Sequence, residues 1–370
     1  MFIYYRSYIQ KLLLLVLLIT FSLYLKLSKN TNKYFKNKKT KFPSKLISLT
    51  ETGKQLNLSL EFVKTYSVLF DAAKKGLTQG PQYSFRNIEP KYHILNKGVG
   101  ICAIGRKENL YVKEFVEYYI NLGIKKIIIY DDNEVNGEKF SDVLDEYIIN
   151  DKVEIIDIHG FESAQFPSYN HCYKEYGSQF DFLLFLDFDE FVKIENNIDI
   201  NTYLYNEKFN KCETIVLNWI MYGDNNLLKY DNRTMNQRFT KSIKLWNKGK
   251  SIVRTNISDL IISSTHTIGI NTHYFCDSNG NRLFPKTFNE FKAPNKPEAY
   301  IKHFYTKTVE EFCNKINRGD GHYHKSHPLH LEILNDRIKM FFMFNTITEE
   351  KLKIVENCSG INLNKYRKKN

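Results

Sequence analysis

A regular alternation of apolar segments, beginning near Gly98, constrains the fold of this chain more than any other feature. Four runs are mainly apolar, which is typical of buried parallel strands rather than of strands with one face exposed to solvent. Apolar residues recur at helical spacing at 110–122, 140–148 and 169–176, and again at 309–316. The order predicts an α/β fold: a mostly parallel, Rossmann-like sheet with helices on both faces. The four runs are Val99–Ile104, Ile127–Tyr130, Val153–Ile158 and Phe182–Leu186.

Polar clusters follow the first, second and fourth apolar runs. The carboxyl ends of parallel strands meet at one edge of a sheet, and ligands of such sheets bind beyond that edge. These clusters therefore mark a candidate binding site. They are Arg106-Lys107-Glu108, Asp131-Asp132-Asn133 and Asp187-Phe188-Asp189.

The third cluster contains two carboxylates, Asp187 and Asp189, directly after a buried strand. Both can face one ligand if the chain bends there, but buried carboxylates are costly unless something compensates their charge. A hard divalent cation does so and prefers oxygen ligands. Mg²⁺ or Mn²⁺ held there would bridge phosphate groups and stabilise charge on a departing diphosphate. The alternative is a strand end capped by solvated acids.

An ordered series of short motifs extends over residues 98–320 and resembles glycosyltransferase family 92. That family is expected to have the GT-A fold and is related to family 2-like glycosyltransferases. The resemblance implies an inverting enzyme that moves a hexose, often galactose, from a UDP-sugar to a glycan or glycoprotein acceptor, with Mn²⁺ or Mg²⁺ as cofactor. The motifs are Ile101–Glu108, Glu114–Tyr119, Leu122-Gly123, Ile129–Asn133, Gln165, Tyr169–Cys172, Leu184–Phe191, Trp219–Gly223, Lys250–Arg254 and His303–Lys307.

The resemblance assigns expected roles to individual residues. Asp187 and Asp189 would contact the ribose and the metal ion, with His303 completing the metal shell, and neutral imidazole suits Mn²⁺. The other expected donor-binding residues are Glu108 and Asp132, which would line the nucleotide pocket, and Lys307, Lys315 and Arg318, which would clamp the diphosphate. Ordinary helix, turn and core positions remain the alternative for each of them.

The acceptor side is less defined by the sequence. The resemblance places acceptor-binding residues after the apolar stretch 214–217, where Trp219 offers an aromatic face and Asp224 lies in a loop. Inverting transfer needs a base for the acceptor hydroxyl proton. Family members often have a small polar residue at the position of Asp224, so the base stays unassigned, with Asp224 and Glu213 as weak candidates.

Two other functions fit parts of the pattern. A haloacid-dehalogenase-type phosphatase also has Asp-x-Asp after an apolar strand, but that motif continues with Thr or Val where this chain has Phe191. A non-catalytic carbohydrate- or nucleotide-sugar-binding protein on a degenerate GT-A fold would keep the same strands. The intact Asp-x-Asp motif favours the enzyme.

The N-terminal residues predict a membrane tether. Residues 1–11 are a short basic start, and residues 12–25 are nearly all apolar and about 21 Å long as a helix, against roughly 30 Å of hydrocarbon. An uncleaved signal anchor is favoured over a cleaved signal peptide, because no small-x-small cleavage site follows. Further predicted segments are a lysine-rich stem at 26–45, a poorly defined extension at 46–95, a GT-A domain at 96–345 and a C-terminal tail at 346–370.

The expected location is a single-pass position in a Golgi- or ER-type secretory membrane. The positive-inside rule would leave the body cytoplasmic, but long domains cross regardless of charge. The four Asn-x-Ser/Thr glycosylation sequons do not settle on which side of the membrane the body lies. The six cysteines contain no Cys-x-x-Cys pair and could be buried thiols or one or two disulfides.

The charge distribution argues against nucleic acid as a partner. The net charge is +12, yet eight lysines lie between residues 26 and 45 and four further positive charges lie after residue 364. The body between these ends is near neutral, whereas a nucleic-acid binder has basic residues spread over a folded face. The basic ends are typical of solvated segments near anionic lipid.

Overall fold

The computed structural model describes residues 90–367, apart from 160–163, 258–259, 261, 263, 267, 270–273, 285–290 and 320–329. The predicted N-terminus, anchor and stem, and the extension as far as residue 89, lie outside these residues. Within them, no helix combines the length and apolar character needed to cross a bilayer.

The described elements alternate between strand and helix in the first half of the fold and become more irregular afterwards. The strands are β1 (Val99–Gly105), β2 (Lys126–Asp131), β3 (Val153–Asp157), β4 (Phe182–Leu186), β5 (Glu190–Ile194), β6 (Thr214–Tyr222), β7 (Ser242–Arg254), β8 (Phe275–Cys276) and β9 (Ala299–His303). The helices are α1 (Asn109–Asn121), α2 (Ser141–Ile149), α3 (Gln165–Tyr176), α4 (Ile200–Leu204), α5 (Met235–Arg238), α6 (Val309–Arg318), α7 (His330–Phe344), α8 (Glu349–Ser359) and α9 (Asn364–Arg367).

All described strands belong to one mixed sheet, in the order β3-β2-β1-β4-β7-β6-β9-β5, with β8 beside β6. Strands β1 to β4 are parallel to one another in the predicted manner. Strand β6 is parallel to β8 and β9, whereas β7 is antiparallel to both β4 and β6, and β5 is antiparallel to β9. The prediction of a mostly parallel sheet is confirmed, and the antiparallel pairs are a finding of the structure.

Helices cover both faces of the sheet, as predicted. Side chains alternate along β1, so Ile101 points into one apolar cluster and Cys102 into another. Phe115 of α1 belongs to the first cluster, whereas Tyr169 of α3 belongs to the second. The strand is therefore buried on both sides, which explains why its sequence shows no polar alternation.

The segment 346–370, predicted as a tail, contains α8 and α9. Leu352 and Val355 of α8 are buried in a third apolar cluster together with Phe312 of α6 and Phe341 of α7. These contacts attach the C-terminal helices to the helix that follows β9, so this segment packs on the rest of the described fold. The other domain boundaries remain predictions.

All six cysteines are paired in disulfides. The bonds join positions far apart in sequence and connect separate elements, including α6 to α8 through Cys313 and Cys358. The sequence left buried thiols and one or two disulfides open, and the structure has three disulfides. The pairs are Cys102–Cys172, Cys212–Cys276 and Cys313–Cys358.

Candidate active site

A pocket of about 300 Å³ lies at the carboxyl end of the parallel strands, where the sequence predicted a ligand. The loops after β1, β2 and β4 contribute Glu108, Asp132 and the Asp187/Asp189 pair to its wall. The later strands and α6 bring further predicted residues to the same pocket: Trp219, His303, Lys315 and Arg318.

Phe188 orients the two acids on either side of it. Its side chain is fully buried, with its ring edge-on to Phe115 and Phe140 at centroid distances of 5.1 and 5.2 Å. A Cβ atom at Gly105 would lie 2.3 Å from this ring, so β1 needs glycine at its end to leave room for it. Because Phe188 is held beneath the strand ends, its two neighbours in sequence, Asp187 and Asp189, lie at the pocket.

Lysine side chains hold both carboxylates of the motif. Asp189 Oδ2 accepts hydrogen bonds from Lys307 Nζ at 2.9 Å and from Lys315 Nζ at 2.7 Å. Asp187 Oδ2 accepts one from Lys250 Nζ at 2.9 Å. Burial opposes ionisation of Asp189, but Lys307 and Lys315 hold its pKa well below the usual value. The acids are therefore ionised and compensated by the chain's own cations.

Lys250 forms the floor of this arrangement. Leu184 of β4 pairs with Ile252 of β7, which brings Lys250 next to the end of β4. The residue is buried, and its Nζ also lies 3.5 Å from Glu190 Oε2. Burial raises the pKa of Glu190 to about 8, although Lys250 opposes the shift. One buried ammonium thus faces two carboxyl groups.

The register of β5 and β9 places His303 beside Asp189. Glu190 pairs directly with His303, and Phe304 N donates to Asp189 O at 2.9 Å. As a result, His303 Nε2 lies 3.6 Å from Asp189 Oδ1. Burial lowers the pKa of His303, which favours the neutral imidazole that a metal ion requires.

The donor set fits a divalent cation in part. Asp189 Oδ1 has His303 as its neighbour, and Asp187 Oδ1 has only a 3.5 Å contact with Gln165 Nε2, so each carboxylate keeps one oxygen that no lysine binds. Among the described residues, however, no three His, Cys, Asp or Glu side chains form a ready-made metal cluster. A cation held by Asp187, Asp189 and His303 would need further ligands from a bound molecule or water.

Helix α6 and the residue before its cap carry further cations of the site. Its N-terminus is fixed by a capping box between Thr308 and Glu311, and Glu311 also forms a buried 2.6 Å ion pair with Arg238. One residue before the cap, Lys307 adopts a left-handed backbone with a φ of 51°, a conformation that costs free energy in a non-glycine residue. In the last turn, Arg318 donates to Glu108 Oε1 at 2.7 Å.

Asp132 lies opposite α6 in a second acid–guanidinium pair. Arg106 Nη2 donates to Asp132 Oδ2 at 2.6 Å, and the main-chain oxygen of Asp132 accepts from Arg106 Nε. Burial raises the pKa of Asp132 to about 6 despite the guanidinium. Glu108 and Asp132 therefore line the pocket as predicted, each with an arginine partner.

Trp219 reaches the pocket but is not an open aromatic platform. Only 7% of the residue is exposed, and its indole contacts the imidazoles of His303 and His266, at centroid distances of 4.5 and 5.1 Å. The expected stacking of a sugar on its face is therefore not supported. Its contacts fix the two histidines instead.

Asp224 and Glu213, the weak candidates for the base, lie outside the pocket. Asp224 is buried and its Oδ2 lies 2.6 Å from Lys351 Nζ of α8. Glu213 precedes β6 and accepts hydrogen bonds from Tyr274 N and the Tyr92 hydroxyl. Both carboxylates have structural partners, so neither is retained as a base, and Asp224 is not retained as an acceptor contact.

Sequence reasoning missed Lys250 and His266 as members of the site. The available signal for Lys250 was its place at the start of the motif Lys250–Arg254, which leads into the apolar pair Ile252-Val253. His266 belongs to a loop without a recognisable motif, and it meets the pocket only through tertiary packing.

An α/β sheet with acids and basic side chains gathered at its carboxyl end is suited to binding a phosphorylated ligand. The profile of glycosyltransferase family 92 matches residues 97–342, which is more than half of the chain. The chain therefore belongs to glycosyltransferase family 92, and the protein is a glycosyltransferase. No curated protein matches it.

Solved glycosyltransferase structures show a distant similarity to this chain. The crystal structure of S. aureus TarS is 13% identical over 70% of this chain and 48% of TarS, with a TM-score of 0.33. TarS 1–349 in complex with UDP-GlcNAc is 11% identical over 71% and 80% of the two chains, with a TM-score of 0.29. Mannosyltransferase PcManGT from Pyrobaculum calidifontis, in complex with GDP-Man and Mn²⁺, is 9% identical over 46% and 47%, with a TM-score of 0.25. The chain spans about half the length of TarS.

The central position of Lys250 predicts a large effect on stability. Replacing it in Lys250→Met leaves Asp187 and Glu190 without their shared ammonium, so the free energy of unfolding should fall by about 3–5 kcal/mol. The control is Lys302→Met, because among the described residues Lys302 of β9 bonds only the neutral amide of Asn236, at 2.9 Å. The loss of this hydrogen bond should lower the free energy of unfolding by about 1 kcal/mol. Equal urea midpoints for the two variants would contradict the assigned role of Lys250.

Proposed function

We propose that this glycosyltransferase moves a hexose, with inversion, from a UDP-sugar to a hydroxyl of a glycan or glycoprotein, and that Mn²⁺ or Mg²⁺ assists. Galactose is the proposed sugar, on the family resemblance. The observation that carries the proposal is the group of cationic side chains around Asp187 and Asp189 at the ligand-binding edge of the sheet. These are Lys250, Lys307, Lys315 and Arg318.

The diphosphate of the donor would bind at the C-terminal turn of α6. Lys315 and Arg318 retain partial exposure at the pocket, with 18% and 14% of their side chains accessible. A phosphate group can take over hydrogen bonds that these side chains now make to Asp189 and Glu108, as a point-charge contact and a bidentate fork respectively. Glu108 and Asp132 would then face the nucleoside.

A bound cation would be held by Asp187, Asp189 and His303, through the carboxylate oxygens that no lysine occupies. When bound, it would stabilise negative charge on the departing UDP. The ammonium groups of Lys250, Lys307 and Lys315 already balance the nearby acids, so the pocket gains little from a cation alone. The nucleotide is therefore expected to increase the affinity of the site for the cation.

The transfer itself would be a single displacement. The acceptor hydroxyl attacks the anomeric carbon, the bond from that carbon to the UDP oxygen breaks, and its electron pair leaves with UDP. Lys315 and Arg318 stabilise the charge that develops on the diphosphate, from positions set before the reaction by the capped helix. The hydroxyl proton passes to a base other than Asp224 or Glu213.

Removing the central acid tests this proposal. Asp189→Asn loses the metal-facing carboxylate and the partner of Lys307 and Lys315, so both transfer and donor hydrolysis should fall by roughly 100-fold or more. Asp151→Asn is the control, because Asp151 is exposed and has a φ of 53°, which asparagine tolerates. Activity would be followed by UDP release from UDP-galactose, and folding by near-UV circular dichroism. Full activity of a folded Asp189→Asn protein would refute the proposal.

We further propose that the catalytic domain lies in the lumen of a secretory compartment, tethered by the apolar segment 12–25. The three disulfides support this side, because such bonds form in oxidising compartments. In sealed membrane vesicles, the domain should resist added protease until detergent is present, and peptide mapping should find the three pairs oxidised. Digestion in intact vesicles would place the domain on the cytoplasmic side.

A further inference from the structure

The acceptor side of the pocket needs a hydrogen-bond acceptor for the attacking hydroxyl. The carboxylates that line the pocket are each ion-paired: Glu108 with Arg318, Asp132 with Arg106, Asp187 with Lys250, and Asp189 with Lys307 and Lys315. The two acids suggested by the sequence, Asp224 and Glu213, lie elsewhere. In the proposed function, Asp187 and Asp189 face the cation and Glu108 and Asp132 face the nucleoside, so an uncharged group is the place to look.

His266 lines the same pocket and has a defined tautomer. Its Nδ1 lies 3.0 Å from the main-chain oxygen of Gly249. A carbonyl can only accept, so Nδ1 carries the proton and Nε2 has the lone pair. Within the part of the chain that the structure describes, Nε2 makes no protein hydrogen bond. Burial lowers the pKa of His266 to about 3, with Lys250 adding to the effect, so the ring is neutral.

The imidazole is held firmly in this orientation. Ser251 Oγ donates to His266 O at 2.7 Å, and His266 N donates to Ser264 Oγ at 3.1 Å, which fixes the backbone on both sides of the ring. Gly249 must be glycine, since a Cβ there would lie 1.8 Å from Leu217 O, and β7 can then approach β6 closely. Trp219 packs edge-to-face against the ring, at an interplanar angle of 89°. Such support from surrounding residues is what a substrate-positioning group requires.

Trp219 also relates this ring to the donor side. Its indole contacts the rings of both His266 and His303, and His303 adjoins Asp189. A hydroxyl at His266 Nε2 would therefore lie in the pocket that Asp187 and Asp189 also line.

We propose that His266 positions the attacking hydroxyl of the acceptor, whose O–H donates a hydrogen bond to Nε2. The inference rests on the proposed function, in which the acceptor is a sugar hydroxyl. The side chain contacts the substrate directly, and its own Nδ1–H bond to Gly249 leaves Nε2 as the accepting nitrogen.

Two amide substitutions separate this role from a structural one. In His266→Asn, the amide nitrogen can replace Nδ1 and keep the bond to Gly249 O, but nothing replaces Nε2. In His266→Gln, the amide oxygen reaches the position of Nε2 and can accept the hydroxyl, while the bond to Gly249 O is lost. The two variants remove opposite halves of the imidazole.

Transfer would be measured from UDP-galactose to a panel of p-nitrophenyl hexosides, with donor hydrolysis and the Kd of UDP as parallel readouts. His266→Asn should lower kcat/KM for the best acceptor by roughly 10- to 100-fold, the equivalent of one lost substrate hydrogen bond. The Kd of UDP should stay within about 2-fold of wild type, because UDP binding does not involve the attacking hydroxyl. His266→Gln should retain transfer within about 3-fold.

The reverse ranking, with His266→Gln impaired and His266→Asn normal, would show that only the Gly249 contact matters and would overturn the inference. So would a wild-type protein that hydrolyses the donor but transfers to none of the hexosides, since the subsite would then not take a sugar hydroxyl. A wild-type protein that neither hydrolyses nor transfers would instead refute the proposed function, and this inference with it.

Discussion

The ion pairs between Asp189 and two lysines are the interaction on which the rest of the site depends. The carboxylate is almost fully buried, and Lys307 and Lys315 both contact its Oδ2 atom. A buried carboxylate without such partners would take up a proton or destabilise the fold. The lysines keep it charged, leave its other oxygen toward His303 and bring positive charge to the place where a diphosphate would bind. The same contacts thus compensate the negative charge of Asp189 and prepare the pocket for its ligand.

Several distant elements hold those lysines in position. Lys307 lies just before the cap of α6, and Lys315 lies in the last turn of that helix. The helix is capped at Thr308 and joined to α8 by the Cys313–Cys358 disulfide. The C-terminal helices pack on α6 through Phe312 and its apolar neighbours. The C-terminal segment therefore contributes to the site without entering it. From the opposite side, Lys250 of β7 supports Asp187, so the acid pair is held between a helix and a strand.

Much of this arrangement could be read from the sequence, for identifiable physical reasons. Strands β1 to β4 were predicted to within one residue because most of their residues are buried and apolar, and parallel strands place their carboxyl ends together. That rule alone gathered Glu108, Asp132, Asp187 and Asp189. The later strands β5 to β9 are short or have register shifts, and they mix parallel and antiparallel pairs, so their register was not predictable. The positions of Lys250 and His266 in the site depend on that register. So does the burial of Trp219 and Asp224, which argues against Trp219 as a surface for sugar stacking and against Asp224 as the base.

The most direct test of the account is calorimetric titration of the metal-free protein with UDP and with Mn²⁺, separately and then in sequence. Because the cationic side chains already balance the acids, UDP should bind without metal, Mn²⁺ alone should bind weakly, and UDP should tighten Mn²⁺ binding at least about tenfold, a coupling that must be reciprocal. Tight binding of Mn²⁺ to the free protein, together with no binding of UDP in its absence, would contradict the claim that these side chains hold the diphosphate.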